Sequence, residues 1–289
     1  ISAVKTAYYQ VLARKSALEA ARQNMELAGD FLSKAELRVK AGEGTRLEQL
    51  TAKVQNSEVL VNLNLKENEL KSGLLELSYA MGMSSGSIQA LSLSDTLLSD
   101  PVKLSFEELY KTALECSPQL KINELRVNSA AADRKLAWTS LLPNFNLSYY
   151  KMTRDGERGF YGASFGVTVP LWFMFDQRSR IKESAANENA ASADLLNAKN
   201  DLYLKLNRSF NDYQNALKQV ELYKYEILPL SEEVYQTALR NYEAGEISYL
   251  EFLQAKQTSV SAQYDYIDVL LSYNKSVVAL EETIGKRIK

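Results

Sequence analysis

The chain contains no histidine and a single cysteine, Cys116, among its 289 residues. That removes histidine-based catalytic triads, histidine-ligated zinc sites and any disulfide closed within the chain. Glycine and proline are scarce, at 12 and 5 residues, as long unbroken helices require. Charge of one sign is also lacking. The net charge is −2, which sets up no strongly basic face, and nucleic acid is not an expected partner. No apolar run reaches the ~18 residues of a membrane-spanning helix. Nor does the sequence show a phosphate-cradling glycine loop, a nucleophile elbow or metal-ligand spacing, so neither a cofactor nor enzymatic activity is expected. What it does have is 46% apolar and 24% charged residues, a balance that argues for a packed chain over a disordered one. Its 17 tyrosines lie mostly inside helical stretches.

Organisation comes from an internal repeat. Ala41-Gly-Glu-Gly-Thr-Arg-Leu-Glu-Gln-Leu-Thr-Ala-Lys53 recurs 203 residues later as Ala244-Gly-Glu-Ile-Ser-Tyr-Leu-Glu-Phe-Leu-Gln-Ala-Lys256, with eight of thirteen positions identical. Ungapped identity of that extent points to duplication. Each copy reads as a helix, a tight turn and a second helix. Gly42 and Gly44 break the first run. Thr45 then caps the next helix, with Glu48 at the capping-box spacing. In the second copy Gly245 breaks, Ser248 caps and Glu251 takes the same third position. Two long antiparallel helical hairpins follow. The first descending run is already under way at Ile1, with Val4, Ala7, Tyr8, Val11 and Leu12 on one face and no signal-peptide pattern before them. The chain is therefore read as continuing from an earlier segment. The run from about Phe175 to Glu243 holds no glycine and one proline, Pro229. At 1.5 Å per residue, about 69 helical residues would span roughly 100 Å, and Pro229 is expected to mark a bend or a change in packing.

Between the hairpins the apolar period changes from 3.6 to 2. Phe145, Leu147 and Tyr149 alternate with Asn144, Asn146, Ser148 and Tyr150. After a polar loop, Tyr161, Ala163, Phe165, Val167 and Val169 alternate with Gly162, Ser164, Gly166 and Thr168. Two strands of about ten residues, apolar on one face and small or polar on the other, match a transmembrane β-hairpin. A soluble hairpin packed on a helix would carry the same pattern. The expected plan is mainly α with a small β part: a first helical hairpin over 1–81, an irregular connection over 82–105, a helix over 106–141 broken before Pro118, a β-hairpin over 142–171, and a second helical hairpin over 172–289. Cys116 is expected to be a small buried side chain.

Taken together, these residues resemble the outer-membrane efflux protein family, the TolC-like channels. In that family each half runs helix, β-hairpin, long helix, turn, helix. The family's Leu-Pro strand entry is similar to Leu142-Pro143-Asn144-Phe145. Its strand exit is similar to Val167-Thr168-Val169-Pro170-Leu171, and its Leu-Pro within the long descending helix to Leu228-Pro229. The glycine followed by a Leu-x-x-Leu-x-Ala run resembles both copies of the repeat. The resemblance spans essentially the whole chain, and order and spacing carry it more than any one motif. It departs at the front, where the family has a further helix and β-hairpin. With one hairpin per protomer, three protomers supply six strands where the family's trimer uses twelve, and strand number sets barrel diameter.

The resemblance implies a passive outer-membrane exit duct of a tripartite efflux system, exporting drugs, metal ions or other small solutes. It implies a homotrimer with a β-barrel in outer-membrane lipid, a helical tunnel in the periplasm, a periplasmic adaptor protein and an inner-membrane pump. Under it, Gly42, Glu43, Gly44, Thr45, Gly245, Glu246, Ile247 and Ser248 form an adaptor-docking tip. Arg240, Tyr242, Glu243, Tyr249 and Glu251 are candidate gate residues, placed by position and not by a matching motif. Asn144, Asn146, Ser148, Ser164 and Thr168 would line the lumen. The alternative is a soluble helical scaffold or a periplasmic adaptor, with the elbows as ordinary turns and the charges as a solvated face.

Overall fold

A computed structural model describes residues 1–83, 96–97, 104–139, 142–154, 157–169 and 176–288. Most of the expected connection over 82–105, the hairpin turn and the strand exit at Pro170 and Leu171 lie outside the described residues. The elements run α1 (Ser2–Ala41), α2 (Arg46–Ala80), α3 (Phe106–Cys116), α4 (Pro118–Thr139), β1 (Asn144–Arg154), β2 (Glu157–Thr168), α5 (Asp176–Leu222), α6 (Leu228–Glu243) and α7 (Tyr249–Ile284). They group into two compact units. One comprises Ile1–Leu109 with Leu206–Lys289, the other Tyr110–Lys205.

In the first unit α1 packs along α2 and along α7, and α6 packs along α7. Seven-residue spacing explains why such long helices stay paired. Ala21, Ala28 and Ala35 are buried on α1, Ala52 and Val59 on α2, and Leu206, Tyr213 and Val220 on α5. A period of seven keeps one seam facing a partner through a left-handed supercoil. Alanine at the α1 seam lets backbones approach closely. Gly73 on α2 serves another purpose, because a Cβ there would lie 2.7 Å from Arg14 Nη1. Its absence lets the guanidinium cross α2 to reach Glu76 Oε2 at 3.2 Å.

The expected single helix before the second elbow is interrupted. A π-helical turn, Tyr223–Ile227, separates α5 from α6, and the Leu228 N–H donates to the Tyr223 carbonyl five residues back. Pro229 has no N–H and its ring crowds the preceding turn, so one wider turn absorbs the misfit while the helix continues. Cys116 departs from expectation too: it is exposed. It ends α3, whose inward face is carried by Leu109 and Ala113, and the chain breaks at Ser117 before Pro118 restarts as α4.

In the second unit β1 and β2 pair antiparallel, with Phe145 opposite Val167, Leu147 opposite Phe165, Ser148 opposite Ser164 and Tyr150 opposite Gly162. The register places the apolar side chains on one face and the polar and small ones on the other, as the alternation predicted. Across the apolar face the rings of Phe145 and Phe165 lie 6.2 Å apart, and those of Tyr149 and Tyr161 6.3 Å apart. On the polar face the Ser148 and Ser164 hydroxyls share a 2.6 Å hydrogen bond. Also in this unit, Arg134 on α4 pairs with Glu188 on α5 at 3.0 Å. Among the described residues no helix is long and apolar enough to cross a membrane.

Candidate functional site

The two elbows lie side by side in the first unit, and their backbones turn in the same way. Gly42 ends α1 at φ 80°, and Gly245 follows α6 at φ 77°, a left-handed conformation that glycine adopts without a Cβ penalty. The Gly42 N–H donates to the Val39 carbonyl at 3.1 Å and the Glu43 N–H to Arg38 at 3.0 Å. In the second elbow the Gly245 N–H donates to Tyr242 at 3.0 Å and the Glu246 N–H to Asn241 at 2.8 Å. Both pairs form the same helix-stop motif, which satisfies carbonyls that the helix end would leave open.

The helix starts then diverge. In the second elbow Ser248 Oγ accepts from the Glu251 N–H at 3.3 Å, and Glu251 Oε2 accepts from the Ser248 N–H at 2.8 Å. This is a complete capping box. The Ser248 backbone N–H, followed by its hydroxyl, holds the Glu251 carboxyl below its ordinary pKa. In the first elbow Thr45 Oγ1 accepts from the Glu48 N–H at 3.1 Å, but the Glu48 carboxylate turns away from its own cap. It accepts from the Tyr242 hydroxyl on α6 and sits 3.7 Å from Arg38 Nη1. The Arg38 guanidinium lies 5.1 Å above the Tyr242 ring. One arginine, one glutamate and one tyrosine, drawn from three helices, thus tie the elbows together. Burial first, and the Glu48 hydrogen bond second, push the Tyr242 hydroxyl well above its ordinary pKa.

An aromatic cluster lies beneath this junction. Phe31 of α1 stacks on Phe252 of α7 at 4.4 Å between ring centroids. Phe252 meets Tyr242 at 5.2 Å and Tyr235 at 6.1 Å, and Tyr249 lies 5.9 Å from Tyr242. Leu239 and Ile247 close its edges. One turn beyond Phe252, the Lys256 ammonium approaches the Phe31 ring to 5.7 Å. Lys256 is buried, and the loss of water lowers its pKa.

A long helical unit with paired elbows and a unit built on a two-faced β-hairpin are a combination known from other chains. The family model described as outer membrane efflux protein matches residues 109–286. The chain belongs to the outer membrane efflux protein family. The cobalt-zinc-cadmium resistance protein CzcC of Cupriavidus metallidurans is 22% identical over 280 residues, covering 96% of this chain and 66% of that protein. The pyoverdine export outer membrane protein OpmQ of Pseudomonas aeruginosa is 23% identical, covering 99% of this chain and 61% of that one. This efflux protein chain therefore spans somewhat less than two thirds of the length of these relatives. The solved structure of the outer membrane protein VceC from Vibrio cholerae superposes with a TM-score of 0.79 at 14% identity, over all of this chain and 70% of the other. At that identity the likeness establishes the shared TolC-like fold. The family match removes the soluble-scaffold and adaptor alternatives.

Within this efflux protein the sequence-predicted residues separate into groups. Glu43 and Glu246 are exposed at the elbow turns, together with Gly42, Thr45, Gly245 and Ser248, while Gly44 and Ile247 are half-buried. Tyr242 and Tyr249 meet at the junction, and Glu243 pairs with Lys34 of α1 at 3.1 Å. Arg240 and Glu251 do not join them. The Arg240 guanidinium donates to Thr237 within α6 at 3.4 Å, and Glu251 is used up by its own cap. Sequence reasoning missed Arg38, Glu48 as a cross-helix partner, Phe31, Phe252 and Lys256. One signal was available: Tyr235, Tyr242 and Tyr249 recur every seven residues, the spacing of a buried seam.

Proposed function

We propose that this chain is a protomer of the outer-membrane exit duct of a tripartite efflux system. Three copies assemble, and each contributes its β-hairpin to a barrel in outer-membrane lipid and its long helices to a periplasmic tunnel. Asn144, Asn146, Ser148, Ser164 and Thr168 face the lumen. The observation that carries this reading is the hairpin itself, whose apolar face leaves Phe145, Leu147 and Phe165 about 70% exposed or more. A two-stranded ribbon of this kind is marginal in water, and an alternating ribbon with one apolar face finds its counterpart in lipid. One relative's name points to cobalt, zinc and cadmium and the other's to a pyoverdine. A duct passes such different cargo when selection rests with the inner-membrane pump, and we assign selection there.

The elbows form the periplasmic tip in this reading. The junction of Tyr242, Glu48 and Arg38 holds the tip closed, and separation of α6 and α7 from α1 and α2 opens it. Glu43 and Glu246, exposed at the turns, meet an adaptor's helical hairpin. Cell fractionation with a mass measurement in detergent tests the duct, since the complete chain must partition with outer membranes as a trimer. Recovery as a soluble monomer would end the reading. Charge reversal (Glu43→Lys with Glu246→Lys) should weaken chemical cross-linking to the adaptor several-fold. Unchanged cross-linking and unchanged efflux remove both residues from the contact.

A further inference from the structure

We propose that Gly162 is a seat for the Tyr150 ring, and that this seat sets the width of the duct at the hairpin. The inference rests on the reading above, in which the polar face of the hairpin lines the lumen. Tyr150 is an aromatic residue on the same face of β1 as Asn144, Asn146 and Ser148. Its cross-strand partner is Gly162. A Cβ placed on Gly162 would lie 2.3 Å from Tyr150 Cζ, 2.6 Å from its Oη and 2.7 Å from its Cε2. The phenol therefore lies across the strand and fills the space a side chain at 162 would take. A glycine inside a strand commonly marks such a close approach, and an aromatic laid over it restores the packing the glycine lacks.

Gly166 provides the internal contrast. It sits on the same face two pairs away, opposite Asn146. The nearest atom to a Cβ there is Asn146 Cβ, at 4.0 Å. A methyl group at 166 enters open space, whereas one at 162 must displace the ring. Carbon atoms settle at about 3.5–4.0 Å from one another, so the ring retreats by roughly 1 Å or more. The sheet backbone blocks retreat on one side, and the ring moves into the lumen. In a trimer the displacement occurs three times around one circumference. Tyr150 thus sets an upper size limit at the barrel mouth, leaving selection among smaller solutes to the pump, and Gly162 is its positioning residue.

The test uses the complete natural chain in planar lipid bilayers. Neutral poly(ethylene glycol) of graded size is added to one side at a time, so that the barrel mouth and the helical tip are sized separately. From the barrel side, Gly162→Ala should lower the radius of the largest polymer that enters by about 1 Å. Gly166→Ala, which adds the same methyl to the same face, should leave it unchanged, and Tyr150→Ala combined with Gly162→Ala should raise it to the wild-type value or above. Equal cut-offs for the two glycine variants overturn the inference, as does narrowing that persists without Tyr150. Should Gly162→Ala fail to insert, Tyr150→Trp serves in its place: a larger ring on the same seat lowers the cut-off, and an unchanged cut-off overturns the inference. A wild-type chain that forms no pore overturns the duct reading itself and is distinguishable from both.

Discussion

The two elbows are built on matching segments of sequence, and the same glutamate has a different partner in each. Glu251 folds back on Ser248 and closes its own cap. Glu48, at the equivalent repeat position, leaves its cap half-made and reaches across to Tyr242 and Arg38. Three neighbouring differences follow the same division. Phe252 stands where the first copy has Gln49, Ile247 where it has Gly44, and buried Lys256 where it has exposed Lys53. The second elbow holds itself together and brings most of the aromatic core. The first contributes Phe31 to that core and a charged arm over its top. A duplicated turn can thus keep its backbone, fixed by glycine, while its side chains divide into a support and a fastener.

The largest effect should come from breaking that division at its centre. Phe252 is almost wholly buried and stacks on Phe31. Phe252→Ala should cost about 3–5 kcal/mol, the range for emptying an aromatic core site. Gln49→Ala, at the equivalent position, should stay within about 0.5 kcal/mol. Denaturant unfolding in detergent, followed by helical circular dichroism, measures both. Similar costs for the two would show that the copies are energetically alike and sink the comparison.

Next in size is the fastener. Glu48→Ala leaves the buried Tyr242 hydroxyl and the Arg38 guanidinium without their shared acceptor. An unsatisfied buried polar group costs about 1–3 kcal/mol. If the junction holds the tip closed, Glu48→Ala and Tyr242→Phe should each raise single-channel conductance, and Glu251→Ala should not. Raised conductance from Glu251→Ala alone would place the closure in the second elbow.

The sequence made the backbone of this site readable and left the side-chain junction hidden. Both elbows were found from the repeat because glycine at a left-handed turn has few substitutes, and Thr45 and Ser248 announced their helices. The hairpin register followed from alternation, since a slip of one residue would turn every apolar side chain over. Glu48 was hidden because its local role was satisfied on paper. Capping-box spacing describes an option for the carboxylate, and a tyrosine 194 residues away offered a second acceptor role that no local pattern encodes. Arg240 stays outside the junction within this chain, because a charge near an elbow can point outward and its guanidinium donates to Thr237 of its own helix. Cys116 was misjudged because its burial depended on which face of α3 ends at the break before Pro118. The π turn was half-legible: Pro229 marked the place, but not whether the helix would bend or widen.

Proton chemistry should distinguish the elbows more gently. Burial raises the Tyr242 pKa in the folded chain. A raised folded value means that its contribution to stability is complete below the ordinary tyrosine pKa near 10 and is lost as pH climbs through the folded value. Ionised Tyr242 would also oppose the Glu48 carboxylate. Conductance of the wild type should therefore rise as pH climbs from the ordinary tyrosine value toward the higher folded one, while Tyr242→Phe, already lacking the hydroxyl, should give a flatter profile. Tyr235 and Tyr249 are raised by burial in the same way, so part of the loss of stability remains in that variant. An identical conductance profile in both would detach the pH response from the junction.

The smallest difference lies in the caps. Ser248→Ala removes the acceptor for the Glu251 N–H and the hydroxyl that donates to the Glu251 carboxylate, leaving only the backbone N–H of residue 248 on that carboxylate. Thr45→Ala removes one bond, because Glu48 never closes the other. Losing a helix cap costs about 0.5–2 kcal/mol. Ser248→Ala should fall toward the middle of that range, about 1 kcal/mol, and Thr45→Ala toward its lower end. Amide hydrogen exchange over the first turns of α2 and α7 resolves differences of this size. Faster exchange at α7 in the serine variant than at α2 in the threonine variant is the expected order. The reverse order would mean that the Glu48 bond to Tyr242 needs the Thr45 cap to position it, and that fastener and cap are one unit in the first elbow.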